Sequence, residues 1–535
     1  MKSAYRPLLI SLILVAGIYL GTKLIPGESD VIFSSKKLSG IHKLNEILNY
    51  IQESYVDSIR KDKLIEDGID AMLHDLDPHS YYIPKEDYRD MNESLEGNFE
   101  GVGIEFRIIS DTVMVITAIP NGPSQKAGVK AGDRIITVND SLIAGTGVRN
   151  KEVMDLLKGP QYTDVNVGIR RGNADSLLRF SLTRDMIPVN SVRSYYMIDE
   201  KTGYIRVDRF SKTTYQEFKM ASDELIDQGM SSLVLDLRDN PGGLLNQAIR
   251  MANEFLDREK VIVYTEGKAR PKKMYYADEW GSMLGIDLAI ILNEGSASAS
   301  EVLAGAIQDN DRGTIVGRRS FGKGLVQEQV DWPDGSALRL TVARYYTPTG
   351  RSIQKPYKDV DDYDSEALDR YITGELDVED SIRVIDSLKY YTPEGKVVYG
   401  GGGIIPDVFI PLDSVIHNTF YRALYQSGAI TMYSFRYADS KRKKLLARYP
   451  NWKQFDKRFK LGEGDYQELL ELATVQGVER NPVQAALLKD KVMIDLKAQI
   501  ARHLYGDEGF YPIVNKNDLA IVRSVELFST KKRPR

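Results

Sequence analysis

Cysteine is absent from the 535 residues. That absence excludes a thiol nucleophile, disulfide bonds and cysteine-ligated metals, and it leaves no residue able to carry a lipid anchor. Histidine is scarce: the five lie at positions 42, 74, 79, 417 and 503. None falls in the stretch from residue 200 to residue 412. A Ser-His-Asp triad needs an imidazole beside its nucleophile, and an H-E-x-x-H zinc site needs two; that stretch supplies neither. An excess of positive charge is also lacking. A net charge of −5 gives no electrostatic reason to expect a nucleic-acid partner. The short basic clusters Lys441 to Lys444 and Lys531 to Arg535 read as a solvated helix face and a terminal tail.

What is present begins at the N-terminus. Lys2 and Arg6 precede an apolar run from Leu8 to Leu20, near the lower length limit for spanning a bilayer. No small-x-small cleavage site follows Leu20, and positive charge ahead of the run favours a cytoplasmic N-terminus with the rest of the chain exported. The expectation is a protein on the periplasmic face of the inner membrane. A single span within residues 1–25 would hold it there, with cleavage as a signal peptide the alternative.

Five regions follow from the patterning. After the 1–25 segment, residues 38–95 form a helical arm: Ile41, Leu44, Ile47, Leu48, Ile51 and Tyr55 keep a 3.6-residue period. A second helix there stops at Asp77-Pro78. Residues 97–185 hold short β runs (Val102 to Ile108, Val113 to Ile119, Arg134 to Val138, Val165 to Arg170) and one helix, Lys151 to Leu157, the signature of a compact β-rich module. From 190 to 412, strands and helices alternate, which implies an α/β layered core. Within it, Asp359 to Asp380 is acidic and weakly patterned, an excursion or linker. Residues 414–535 are mostly helical and polar.

Three segments of the α/β region carry chemistry. Asn293-Glu294-Gly295-Ser296-Ala297-Ser298-Ala299-Ser300-Glu301 follows an apolar strand and opens a helix. A serine there meets the unpaired N–H groups of a helix start, which can stabilise an oxyanion. On this segment alone, Ser298 or Ser300 capping the helix with Glu301 in support is the better explanation of the residues. Ser320-Phe321-Gly322-Lys323-Gly324-Leu325-Val326-Gln327 sets one lysine between two glycines in an apolar, strand-like stretch. Lysine acts as a general base only when burial makes it neutral, and Gln327 could hold its amine. An exposed turn lysine is the plain alternative. Asp236-Leu237-Arg238-Asp239-Asn240-Pro241-Gly242-Gly243 ends a buried strand in a loop whose Gly-Gly backbone can turn N–H groups outward.

Taken together these residues resemble the carboxy-terminal processing proteases, or tail-specific proteases. The elements S-A-S-A-S-E, F-G-K-G-x-V-Q and Asp334-Gly335-Ser336 to Thr341, Tyr345 or Tyr346, Thr347-Pro348 and Gly350 occur in order, and Asp77-Pro78-His79-Ser80 is similar to the family's arm motif. The resemblance spans roughly residues 40 to 412. It implies Ser298 as nucleophile, Lys323 as general base and Gln327 as its orienting partner, with the Ala299 amide and that of Gly243, or less readily Gly242, as the oxyanion hole. The fold implied is an α/β protease core of the Clp protease/crotonase type with an inserted PDZ-like β-rich domain, an N-terminal helical arm and a C-terminal helical extension. Gly101-Val102-Gly103-Ile104-Glu105-Phe106 is similar to the PDZ carboxylate-binding loop, so Gly101, Val102, Gly103, Ile104 and Phe106 are its expected peptide contacts. The region near Lys151 lacks the histidine of hydroxyl-selecting PDZ grooves, so an apolar terminal residue is expected. No cofactor or metal is required. The expected partners are proteins or peptides with accessible C-termini and the membrane, together with a second copy of the chain or an adaptor. The competing reading is a catalytically silent PDZ scaffold.

Overall fold

The computed structural model describes residues 11–19, 40–109, 111–172, 176–278, 281–357 and 360–530. Two compact units divide the chain, Met1–Ala71 and Met72–Arg535. In the first, residues 11–19 are helical, as is Gly40–Ser54, whose apolar stripe stays exposed (Ile41 at 75%). Among the described residues no helix is long and apolar enough to cross a membrane. Lys2, Arg6 and the ends of the apolar run, like Lys531 to Arg535, lie outside the described residues.

The second unit is built on a six-stranded sheet in the order 192–197, 202–207, 232–236, 287–292, 314–317, 408–409. Its first pair is antiparallel and the rest run parallel. Strands buried on both faces are near-continuous apolar runs, and Leu288 to Leu292 is one. Alternation then sorts the two faces. Ile205, Leu235 and Ile290 pack against the helices Thr214–Asp227, Leu245–Asn253 and Ala299–Asp309. Tyr204, Val234, Ala289 and Ile291 pack on the other side against Ala520 and Ile521 of the last helix, Leu519–Thr530. The C-terminal extension is therefore a structural layer of the core.

A second sheet runs 81–83, 337–346, 261–267, 270–276, with strand 325–331 also paired to 337–346. Its first strand changes one expectation: the 38–95 region is not wholly helical, because Tyr81–Ile83 pairs with Ala337 to Arg339 and buries Ile83 completely. The β-rich module has the expected form, a sheet of strands 104–108, 113–118, 134–138, 164–170 and 178–183 around its own core, with the helix Asn150–Leu157. The expected run Val102 to Ile108 begins only at Ile104, and ahead of it 98–101 is a separate strand paired with 185–188. Gly103 turns the chain at φ +72, and a Cβ there would lie 3.0 Å from Ile187 Cδ1.

The acidic segment is likewise not a linker. Val360–Ile372 is a helix whose Arg370 is buried, 3% exposed, and donates to the carbonyls of Ser320 at 2.8 Å and Phe321 at 3.1 Å. Some of its charges turn inward: Arg370 and Lys355 meet Glu366, and Arg319 meets Glu375. Residues 419–530 form the helical extension around a core of their own. It also grips the β-rich module, where Met114 and Ile116 point away from that module's core onto Phe435.

Candidate active site

The serine turn is organised by short-range contacts. The strand Asp287–Leu292 ends in a loop held by Asn293, whose amide donates to Asp239 at 2.7 Å while its carbonyl accepts the Asp239 N–H at 2.8 Å. Ser296 Oγ donates to the Leu237 carbonyl at 2.8 Å, and the Ala297 N–H donates to Asn240 at 2.9 Å. These bonds press the serine turn against the Gly-Gly loop. At Gly242 an added Cβ would fall 2.8 Å from Ser298 Cβ and 2.9 Å from the Ala299 nitrogen, so only glycine fits.

Ser298 itself sits at φ 54, ψ −112, a conformation that costs a non-glycine residue roughly 1–3 kcal/mol. Capping accounts for its backbone alone. Glu301 accepts the Ser298 N–H at 2.8 Å and returns its own N–H to the Ser298 carbonyl at 2.9 Å, while the hydroxyl makes no cap hydrogen bond. The expected cap is Ser300 no more than Ser298, since Ser300 Oγ donates to the Asn240 carbonyl at 3.0 Å.

Lys323 lies in an irregular loop, not the strand-like stretch expected; the strand begins at Leu325. Hydrogen bonds to fixed partners take up that loop's backbone, which is why it has no ladder of its own. Glu301, fully buried, accepts Ser320 Oγ at 2.6 Å and the N–H groups of Gly322 at 2.7 Å and Lys323 at 2.9 Å. Gln354 accepts the Gly324 N–H at 2.8 Å, and Arg370 takes the carbonyls noted above. Tyr345 Oη meets the Ser298 carbonyl at 3.1 Å and the Lys323 carbonyl, bridging the two segments. Glu301 and Tyr345 escaped the sequence reading as site residues; Glu301 was visible only as a cap, and its second role needs the fold.

The Lys323 side chain is half-buried, and its Nζ donates to Gln327 Oε1 at 2.9 Å. Burial first, and the Arg339 guanidinium second, lower its pKa below the ordinary lysine value, while Asp77 and Glu301 act in the opposite sense. Burial raises the Glu301 carboxyl despite its four donors. Beneath the Gly-Gly loop, Asp236 is pushed up by burial but held down at about 2 by Arg238 and Arg206. It is a fixed anion pinning the start of that loop, with Arg238 Nη2 at 2.6 Å.

One cavity of about 770 Å³ is lined by Ser298, Ala299, Lys323, Gln327, Gly242 and Gly243. All six residues expected in the α/β region thus come together. The Gly242 N–H is spent on Asn240 Oδ1 at 2.9 Å, which leaves Gly243, at φ 139, as the better-placed donor of the pair. Leu95, Phe210 and Val302 supply apolar wall, and Arg206, Arg209 and Arg339 supply positive charge. The five residues expected for tail binding lie apart, in the β-rich module. Gly101 ends the strand 98–101, Val102 is 3% exposed in the module's core and Gly103 makes the turn. Ile104 and Phe106 stand on strand 104–108, which among the described residues pairs with 113–118 alone and so forms an edge of the sheet. Val102 therefore supplies packing, its carbonyl accepting Ser124 Oγ at 2.7 Å.

Comparison with known proteins places these features. The description "Peptidase family S41" matches residues 201–362, "PDZ domain" residues 101–182 and "Activating protease CtpB N-terminal domain" residues 16–87; a family of unknown function matches residues 420–506. A carboxy-terminal-processing protease of Bartonella bacilliformis is 36% identical over 64% of this chain and 79% of its own length. The carboxy-terminal processing protease CtpA of Bacillus subtilis is 34% identical over 62% of this chain and 72% of its own. Among solved structures, a photosystem II D1 C-terminal processing protease is 29% identical, with a TM-score of 0.36 over 69% of this chain and 92% of that one. The chain is thus a serine-type peptidase with an inserted PDZ domain, and it belongs to the carboxy-terminal processing proteases of peptidase family S41.

Proposed function

We propose that this peptidase cleaves exported proteins near their C-terminal tails by acyl-enzyme chemistry with Ser298 and Lys323, its PDZ domain engaging the substrate's C-terminus. The observation that carries the reading is the convergence on one cavity of Ser298, the Lys323–Gln327 pair, Ala299 and Gly243, whose amides would serve as the oxyanion donors. Neutral Lys323 takes the Ser298 proton, and the alkoxide attacks the peptide carbonyl. The two amides stabilise the tetrahedral oxyanion as the C–N bond breaks, with the lysine proton passing to the leaving amine. Water then repeats the sequence on the acyl-enzyme, releasing the acid and restoring Ser298. Gln327 directs the amine, and the open edge of strand 104–108 takes an extended tail ending in an apolar residue. The N-terminal segment tethers the enzyme to the periplasmic face of the inner membrane.

The test is turnover of a peptide-tagged reporter by the wild type, Ser298→Ala and Lys323→Ala, with fractionation of the same cells. Loss of cleavage in both variants and a membrane-bound wild type are expected. Turnover that survives Ser298→Ala would overturn the assignment, and an inert wild type that still binds the tag would favour a scaffold.

A further inference from the structure

Gln327 presents an ambiguity that its own chemistry cannot resolve. A glutamine amide has an oxygen that accepts and a nitrogen that donates, and either end could face Lys323. With the oxygen turned to the lysine, a neutral amine donates one N–H to it and keeps its lone pair for the Ser298 proton. With the nitrogen turned to the lysine, the amide N–H competes for that lone pair and blocks the base. Something must choose between the two orientations.

The choice is made by the main chain of the Asp77-Pro78-His79-Ser80 turn. Gln327 Nε2 donates to the His79 carbonyl, an atom that can only accept, so the amide oxygen is left for Lys323. The turn is in turn set by the buried Asp77 carboxylate, which accepts the His79 N–H at 2.8 Å, the Ser80 N–H at 2.9 Å and Ser80 Oγ at 2.7 Å. Thr341 joins turn to strand: its hydroxyl donates to Asp77 at 3.1 Å and its N–H to Ser80 Oγ at 3.0 Å. Thr341 is also the register partner of Gln327, at the point where a bulge between Val326 and Gln327 interrupts the pairing. A bulge re-aims the side chain beside it, and here the turn fixes where it aims.

We propose that Asp77 is a positioning residue for the Ser298–Lys323 pair, holding the 77–80 turn so that the His79 carbonyl locks Gln327 with its oxygen toward Lys323. This rests on the reading of Lys323 as the base. It gives a segment distant in sequence a direct hold on the proton-transfer step, with two side-chain hydrogen bonds between the turn and the amine.

The test is a double-mutant cycle on the full chain, reading kcat and KM on a short peptide substrate for Asp77→Ala, Gln327→Ala and the pair. We expect Asp77→Ala to lower kcat on the order of 10²-fold with KM little changed, since misplacement of a reacting group acts on the chemical step. In the Gln327→Ala background the same change should have almost no further effect. Asp77→Asn, which keeps one acceptor for the two N–H groups, should restore most of the rate. Should Asp77→Ala fail to fold, Ser80→Ala removes only the Ser80–Asp77 and Thr341–Ser80 bonds, and its smaller loss of kcat must likewise vanish when Gln327 is alanine. Losses that multiply independently, or that fall on KM alone, would overturn the inference while leaving the lysine assignment standing. Full activity in Lys323→Ala would instead remove the reading on which it rests.

Discussion

The serine turn and the lysine loop face the same cavity but are built in opposite ways. Ser298 is placed by a strand, a tight turn and a helix start within about ten residues, helped by one neighbouring loop. Lys323 is placed by groups drawn from Glu301, Gln354 and Arg370, with the His79 carbonyl, 248 residues away, behind Gln327. Local order fixes the backbone strain at Ser298; long-range order fixes the burial of Lys323. A base that must be neutral cannot be left on a loop open to water, so the loop's polar groups are satisfied from within.

That contrast can be broken at several points. The largest effect is expected from removing either reacting group: Ser298→Ala and Lys323→Ala should each lower kcat/KM by at least ~10³-fold, and their combination should cost little more, as measured in a peptide assay. Next comes Glu301, whose carboxylate accepts from both segments. Glu301→Ala leaves the N–H groups of Gly322 and Lys323 and the Ser320 hydroxyl without their acceptor, at about 1–3 kcal/mol each. Activity and melting temperature should therefore fall together. Arg370→Ala tests the lysine loop alone. It strips a buried cation from Glu366 and from two carbonyls of the loop, and urea melts should show a loss of about 3–5 kcal/mol. The serine turn makes no bond to Arg370, so a serine probe should still label any folded fraction.

A smaller effect comes from His79. Burial first, and then Lys323, lower its pKa to about 4, from the 6.5 expected of the unfolded chain. The folded protein keeps this imidazole neutral, so its contribution to stability is complete above pH 6.5 and is lost as the pH falls toward 4. His79→Gln should flatten the melting temperature across that interval. The smallest effect lies in the PDZ domain. Gly103→Ala forces a side chain to φ +72, a cost of about 1–2 kcal/mol, and should weaken tail-peptide binding in calorimetry while sparing turnover of substrates too short to reach the domain.

The same contrast governs how much was legible in the sequence. Ser298 stands in a local motif whose small residues announce a strand-to-helix turn, and the strand–helix alternation of the core was readable from its apolar runs. The lysine was visible only as a G-K-G, because nothing within eight residues reveals that Glu301 and Arg370 close over it. The acidic segment Asp359 to Asp380 read as an excursion or linker for a related reason. Its charged residues look solvated until Arg370, Glu366 and Glu375 are seen paired inward. The 81–83 strand was hidden by its length, since three residues carry no period and its partner lies more than 250 positions away. Tyr345 was one of two tyrosines in its motif, and only the fold shows that its hydroxyl joins the Ser298 and Lys323 segments.

The central claim, that a half-buried and neutral Lys323 activates Ser298, is tested most directly by the rate at which a fluorophosphonate phosphonylates the protein, with loss of fluoride, as a function of pH. Wild type and Lys323→Arg should be compared, because arginine keeps a long basic side chain but stays protonated and so cannot accept the Ser298 proton. The account predicts labelling at Ser298 whose rate rises with pH through a midpoint below the ordinary lysine value, and no such rise in Lys323→Arg. Phosphonylation of Lys323→Arg at the wild-type rate and with the wild-type pH profile would contradict it.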